Sequence, residues 1–574
     1  MISARHDPYS KLDRFPQGAR PAGSVVCLRV TVFDAPARAF VRLWRGGGED
    51  RIEMKKIASS RWEATISVGH ETGLLWYYFI LEDENGDLTY LGKPAGETCG
   101  VFSHEPASFQ ITVHEPALDT PEWMRNSVMM QIMVDRFAVG SKGITPPHDK
   151  YAFLHEDWYE LPRLCPGEAL DFFGGNLRGI IEKLPYIRDL GIGALYLNPI
   201  FRARSNHKYD TGDYMQIDPS FGTEEDFAEL TRKAADAGIH IVLDGVFSHT
   251  GADSRYFNKF DTYDSEGAYN AYGHSPYSSW YTFKNGRDDY ECWWDFNTLP
   301  NVNETDPAYL DFIIKNKDSV AAHWLKAGAS GWRLDVADEL PMEFIRLLRL
   351  RAKYEGRDNC VIGEVWEDIT NKTAYGRHRC YATGDTLDSA MNYPLREMLI
   401  GFLLGSVSAY TFEEFLRHQQ STLPRPMHYS MMNLLGSHDK PRIIDVLSGR
   451  SENALQPEHD KRKFVPLTKD EYALGKARFI SAFEFLCHLP GMPCLYYGDE
   501  AGLTGGGDPF CRRTFPWGRE DKELTERIRG VIRERSSRKE LRTGSCIVTA
   551  LGDDRIEIRR EEDGVENIYT LSRI

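Results

Sequence analysis

The chain has 574 residues, of which 41% are hydrophobic and 27% charged, with a formal net charge of −16 and a pI near 5.6. A chain this long buries a large core and divides into more than one domain, and its acidity excludes nucleic acid as a partner, because polyanions require a basic footprint. No run reaches the roughly 18 apolar residues of a membrane span and the opening MISARHDPYSKLDRFPQGARPAG lacks the apolar core of a signal peptide, so we expect no membrane partner and a cytoplasmic location.

From Val25 to Val113 apolar and polar residues alternate (VCLRVTVF, FVRLW, RWEATISV, LLWYYFILE, FQITV), with Gly and Asp clusters between the runs. Period-two alternation of this kind predicts an N-terminal β-sandwich over residues 1–118. The stretch HEPALDTPEWM, around Pro116 and Pro121, then reads as a linker.

From 119 to 518 short apolar runs alternate with longer helical stretches: VMMQIMV, ALYLNPI, IHIVLDGV, GWRLDVA, VIGEVW, DSAMNYP, MMNLLGSHD and MPCLYYGDE. Ile180, Leu184, Ile187 and Leu190 share one helical stripe, and Gly191 sits where a left-handed C-terminal cap is needed. Thr223 with Asp226 forms a capping box opening the next helix. Eight strand–helix units predict a (β/α)₈ barrel, with an open doubly wound sheet as the alternative. Between the third and fourth strands lie about 80 residues rich in Tyr, Trp, Ser and Asn, too long for an idle connection. A shorter insertion, near Gly140 to Asp171, follows the first strand. Residues 519–574 read as one charged helix and a short β domain (SCIVTALGDDRIEIRREEDGVENIYTLS).

The ten cysteines, Cys99 and Cys165 among them, form no CxxC pair and lack zinc-ligand spacing, so reduced thiols are expected. A parallel barrel places its active site at the carboxyl ends of its strands. There the third strand ends in Asp244, followed by His249. The fourth carries Arg333 and Asp335, the fifth ends in Glu364, and the seventh ends in His438 and Asp439. Strand side chains alternate faces, so Arg333 and Asp335 point inward together while Trp332 and Leu334 point away.

An arginine within reach lowers a carboxylate pKa by ~1–3 units, which predicts an ionised, nucleophilic Asp335. Glu364, set among Ile362, Val365 and Trp366, is expected to be desolvated and to keep its proton as a general acid. That pairing is what glycoside hydrolysis requires, with Asp439 favouring an oxocarbenium-like transition state. Taken singly, a strand-end carboxylate is more often a helix cap, and Arg333 with Asp335 has the makings of a structural ion pair. Four strands converging on one barrel end are not explained that way.

At these residues the sequence resembles the α-amylase family, glycoside hydrolase family 13, through DGVFSH (Asp244 to His249), GWRLDVADE (Gly331 to Glu339), GEVW (Gly363 to Trp366) and NLLGSHD (Asn433 to Asp439). FFGGNLRGI, SNHKYDTGDY, DSAMNYP and DPFCRRTFPW extend the resemblance. LPNVN, VADE and the N-terminal β domain resemble the neopullulanase, cyclomaltodextrinase and maltogenic amylase branch.

The resemblance implies Asp335 as nucleophile, Glu364 as acid/base and Asp439 as transition-state stabiliser. It implies that Tyr209, Asp244, His249, Arg333 and His438 line the −1 sugar subsite, that Asp508 and Arg512 grip the same sugar, and that Trp366 borders the +1 subsite. The implied substrate is an α-glucan oligosaccharide with α-1,4 bonds: maltodextrin, cyclodextrin or pullulan. Rivals are an α-1,6-acting debranching enzyme or oligo-1,6-glucosidase and, from another class, a non-catalytic glucan-binding protein, which would be expected to lack one of the three carboxylates.

The resemblance also brings calcium into question. Ser248 stands where many relatives have Asn, and the loop that holds calcium in this branch reads AVGSKGIT here, with too few hard oxygen ligands. No required cofactor is expected, calcium included. The β tail is shorter than the family's usual C-terminal sandwich, and in this branch the N-terminal domain often mediates pairing, so a homodimer is expected.

Overall fold

The computed structural model describes residues 3–34, 36–93, 101–102, 106–164, 169–456 and 463–573. Cys99 and Cys165 lie outside these; the other eight cysteines are free thiols.

The N-terminal region contains strands Val25–Val32 (β1), Arg38–Arg45 (β2), Gly48–Glu53 (β3), Arg61–Ser67 (β4), Gly73–Glu82 (β5), Leu88–Gly92 (β6) and Phe109–His114 (β7). β1 and β4 belong to one sheet, and β2, β3, β5, β6 and β7 to a second. Alternate residues such as Val26, Leu28, Val41, Tyr77 and Phe79 form the buried layer between them, as period-two patterning requires. The apolar pattern does not mark β3, GEDRIE, which has no buried face. Backbone pairing with β2 is what makes it a strand.

The eight expected barrel strands are all present: Met129–Ile132 (β8), Ala194–Leu197 (β9), His240–Gly245 (β10), Gly331–Leu334 (β11), Cys360–Gly363 (β12), Ser389–Ala390 (β13), Met432–Leu434 (β14) and Met492–Tyr496 (β15). Among the described residues they form one parallel sheet in the order β13-β12-β11-β10-β9-β8-β15-β14. A parallel bridge between Met391 and Met432 nearly closes it into a cylinder. The open doubly wound alternative is excluded.

Side chains divide by parity. Met129, Tyr196, Val242, Ile362 and Met432 pack inside the barrel, and Met130, Leu195, Leu243, Trp332 and Leu334 pack outside it against the helices. The short helix Glu122–Asn126 (α1) plugs the bottom, with its Met124 wholly buried and its Trp123 stacked on His240 at 4.4 Å.

The helix Leu177–Leu190 (α2) is capped at Gly191, whose φ of 93° is left-handed. The helix Glu224–Asp236 (α3) opens with both hydrogen bonds of the Thr223–Asp226 capping box. The long insertion after β10 packs its aromatic side chains onto the barrel's outer core: Tyr256 lies 5.3 Å from Trp280, and Phe257 packs on Tyr281 and Tyr290. A charged helix, Lys522–Ser537 (α4), leads to an antiparallel sheet of Ser545–Ala550 (β16), Arg555–Glu562 (β17) and Val565–Ser572 (β18).

Candidate active site

The alternation that turns Trp332 and Leu334 outward turns Arg333 into the barrel mouth, where it is 1% exposed. Its Nη1 donates to Asp335 Oδ1 at 3.0 Å and to Asp244 Oδ1 at 2.9 Å. Its Nη2 lies 2.8 Å from Glu364 Oε2, a close ion contact without hydrogen-bond alignment. Asp244 is held as an acceptor by the hydroxyls of Tyr196 at 2.6 Å and Tyr209 at 2.8 Å. One guanidinium therefore serves three carboxylates on three adjacent strands.

This sharing overturns the expectation that Arg333 lowers Asp335. Burial pushes Asp335 well above the usual carboxylate range; Arg333 opposes that, while the charges on Glu364, Asp244 and Asp439 reinforce it. Glu364 is not merely surrounded by apolar groups. Its Oε2 accepts the Val336 N–H at 2.9 Å, and its Oε1 accepts the Trp366 indole N–H at 3.1 Å. The sequence reading counted the apolar neighbours of Glu364 and missed these donors. Val336 reaches its position with φ of 38°, a left-handed conformation that is costly for a β-branched residue and so marks a functional constraint.

On the opposite wall Gln131 donates to His438 Nδ1 at 2.8 Å, which leaves the ring hydrogen on Nε2, 3.2 Å from Asp439 Oδ1. Burial drives His438 well below its ordinary value, so the ring is neutral. Burial also lowers His249 to about 4; its Nε2 donates to the Tyr209 carbonyl at 3.2 Å. The Tyr209 ring lies parallel to His438, centroids 5.2 Å apart. Asp439 is raised by burial against the pull of Arg512 and Arg333. Arg512 donates to the His438 carbonyl at 2.9 Å and lies 3.2 Å from Asp508 and 3.7 Å from Asp439.

All eleven predicted residues thus meet at one mouth, and all except Asp244 and Arg333 line one cleft of about 1080 Å³, where those two hold the wall from behind. Two residues that sequence reasoning missed, Tyr196 and Gln131, obey the rule that found Arg333: each sits at an inward position of its strand. On the far side Trp366 stacks on Tyr393 with centroids 4.3 Å apart, and Lys440 Nζ lies 4.3 Å from the indole. Trp294 and Tyr375, both left-handed at φ of 48° and 51°, donate to the same oxygen of Glu339 at 3.4 and 2.7 Å.

The loop after β8 does not fit calcium. The Asn176 amide nitrogen donates to the carbonyls of Gly143 at 3.1 Å and Gly174 at 3.4 Å, and its oxygen accepts from the Gly140 and Gly179 N–H groups. The carbonyls a cation would take are already engaged, and the ammonium of Lys142 sits alongside, 2.9 Å from Asp226. Among the described residues no group of three or more His, Cys, Asp or Glu side chains could hold a metal ion, and no helix is long and apolar enough to cross a membrane.

Residues 131–545 match the family model for the α-amylase catalytic domain. The chain is 36% identical to an amylopullulanase of Thermoanaerobacter thermohydrosulfuricus over 94% of its own length, spanning only 39% of that relative. It is 33% identical to a cyclomaltodextrinase of Geobacillus thermopakistaniensis (strain MAS1), over 87% of this chain and 77% of the relative. The solved structure of a cyclic α-maltosyl-(1→6)-maltose hydrolase from Arthrobacter globiformis superposes with a TM-score of 0.66 at 29% identity, covering 79% of this chain and 92% of that one. A catalytic-domain match that runs from the first barrel strand to the edge of the C-terminal sheet makes the chain a member of the α-amylase family.

Proposed function

We propose that the chain is a retaining hydrolase of α-1,4-glucosidic bonds in maltodextrins, cyclodextrins or pullulan, with glycosyl transfer to a second sugar as a side reaction. One observation carries the reading: the two terminal nitrogens of a single buried guanidinium touch Asp335 and Glu364 at the floor of an aromatic-walled cleft. Aromatic faces suit the apolar faces of sugar rings, and the names of the relatives point to α-glucans.

In this reading Asp335 attacks the anomeric carbon while Glu364 protonates the departing oxygen. The Glu364 carboxylate then takes a proton from the water or sugar hydroxyl that displaces Asp335. Oε2 of Glu364 is occupied by Val336 and Arg333, which leaves Oε1 to carry the proton. Attack by Asp335 requires it to be ionised while the proton to be donated sits on Glu364. Asp439 and the neutral His438 face the charge that develops on the sugar. Tyr209 stacks beneath the −1 ring, with Asp244, His249 and Arg333 framing that subsite, Asp508 and Arg512 holding its hydroxyls and Trp366 beside +1.

Proton NMR of the first product from maltoheptaose tests the mechanism: the α-anomer is expected, and a β-anomer overturns it. Binding without reducing-sugar release would favour a non-catalytic glucan-binding protein. A second reading, cleavage of α-1,6 bonds, is favoured by the names of the amylopullulanase and of the maltosyl-(1→6)-maltose hydrolase. Pullulan products distinguish the two, since panose reports α-1,4 cleavage and maltotriose α-1,6 cleavage.

We also propose that the enzyme needs no calcium, because the Asn176 amide takes the place of a cation. Chelator is then without effect on activity or melting temperature. Asn176→Asp sets a carboxylate against two carbonyls, costs about 1–3 kcal/mol, and regains stability when calcium is added. The free thiols of the eight described cysteines support a reducing, cytoplasmic setting. Exposed Leu12, Phe15 and Val25 on the N-terminal sandwich supply apolar area for a homodimer; a monomer mass by light scattering overturns that assignment.

A further inference from the structure

We infer that Trp366 is a positioning residue for the proton of Glu364: its indole N–H holds Oε1 as an acceptor and favours the carboxylate that the second displacement needs. The inference rests on the reading of Glu364 as acid/base and goes beyond the place of Trp366 beside a sugar.

The geometry is specific. Oε2 of Glu364 accepts the Val336 N–H and lies in ion contact with Arg333, while the Trp366 N–H addresses Oε1 at 3.1 Å. Oε1 is the oxygen left to exchange a proton with the substrate. The indole is not free to swing away. It lies at 12° to the Tyr393 ring with centroids 4.3 Å apart, Lys440 Nζ is 4.3 Å from its centroid, and the Tyr393 hydroxyl is tied to Ser437 at 3.2 Å. Loops of the sixth and seventh strands therefore aim a donor carried by the fifth. Trp366 is also 43% exposed, so an acceptor-side sugar reaches the same ring.

The charged and titratable groups facing Glu364 are Arg333 and Asp335 from the fourth strand, His438 and Asp439 from the seventh, Lys440, and Tyr393. The indole neither carries a charge nor titrates, so removing its N–H changes one donor and leaves the charges of the pocket in place. A donor to a carboxylate stabilises its ionised form.

In the first displacement the proton passes from Oε1 to the glycosidic oxygen as the C1–O bond breaks and the bond from C1 to Asp335 forms. Oε1 becomes anionic and the indole bond strengthens. In the second, a proton from water or a sugar hydroxyl returns to Oε1 as that oxygen bonds C1 and Asp335 leaves.

The test is Trp366→Phe, which keeps a ring against Tyr393 and deletes the N–H. We expect the alkaline limb of kcat/KM for maltoheptaose to move upward by roughly half to one pH unit, because the protonated acid persists to higher pH. With a 2,4-dinitrophenyl α-maltoside, whose leaving group departs unprotonated, kcat/KM should lack this limb in both the parent chain and the variant. A loss of ring contact alone changes KM and leaves the limb in place, and a limb unmoved within about 0.2 unit in a variant that melts normally overturns the inference. Carboxyl ¹³C titration of Glu364 in an Asp335→Asn background, with and without Trp366→Phe, reads the same shift without turnover. If Glu364→Gln is itself active, the acid/base assignment falls and this inference falls with it. If Glu364→Gln is inactive and the Trp366→Phe limb is unmoved, only this inference falls.

Discussion

In the proposed reaction the chemistry turns on Asp335, and its charge state is set by competition. Arg333 is close enough to keep one carboxylate ionised, but it divides its donors among three, and burial adds to the cost of each charge. Since Asp335 has to be ionised to attack, and is held well above the usual carboxylate range, kcat/KM should rise with pH through a value above the ordinary range near 4. His249 and His438 are neutral and add no step near 6.5. A profile of kcat/KM against pH that is already flat at about pH 4 contradicts this. Asp335→Asn and Glu364→Gln should each lower kcat by roughly a thousandfold or more, with Asp439→Asn reducing kcat more than it raises KM.

At the scale of elements, the helix termini show how directly local sequence becomes structure. Gly191 ends α2 in a left-handed turn, and a Cβ there would come within 2.8 Å of the Ile532 side chain on α4. Gly191→Ala combines backbone strain with that clash and should cost about 1–2 kcal/mol, seen as a lower melting temperature with kcat unchanged. Short apolar runs between helical stretches made the eight barrel strands legible beforehand, because both faces of a barrel strand are buried, and period-two alternation did the same for the sandwich core and the inward pair Arg333 and Asp335. What stayed hidden has no period. β3 is held by backbone pairing and by side-chain contacts to β2 such as Arg38 with Glu53, and the donors on Glu364 come from a backbone N–H in a strained turn and from an indole whose orientation depends on Tyr393, distant in the chain. The direction of the Asp335 shift stayed hidden for the same reason: the sequence displays one arginine near one aspartate, and only the folded barrel brings Asp244 and Glu364 to the same guanidinium.

Across the whole molecule, burial of Glu500 makes stability depend on pH. Its Oε1 accepts from the Tyr186 hydroxyl at 3.0 Å, its Oε2 has no hydrogen-bond partner, and burial raises its pKa from 4.5 to about 7. A carboxyl raised on folding contributes stability that is complete below the unfolded value and is lost as pH climbs through the folded one. For Glu500 that window runs from 4.5 to about 7, and the loss amounts to ~3 kcal/mol at most. Glu500→Gln should therefore melt higher than the parent chain at pH 8 and gain nothing at pH 5; a gain of equal size at both would refute the assignment.

The barrel meets itself between β13 and β14 through the single bridge from Met391 to Met432, helped by the Ser389 hydroxyl on the Met432 N–H at 3.1 Å and the Asn392 amide on Asn433 at 2.9 Å. That seam falls between the strand bearing Glu364 with its neighbour, and the strand bearing His438 and Asp439. Thermal breathing would part the cylinder along this line first, drawing Glu364 away from Asp439 while every helix is still folded. Heat would then silence the enzyme some degrees before it melts.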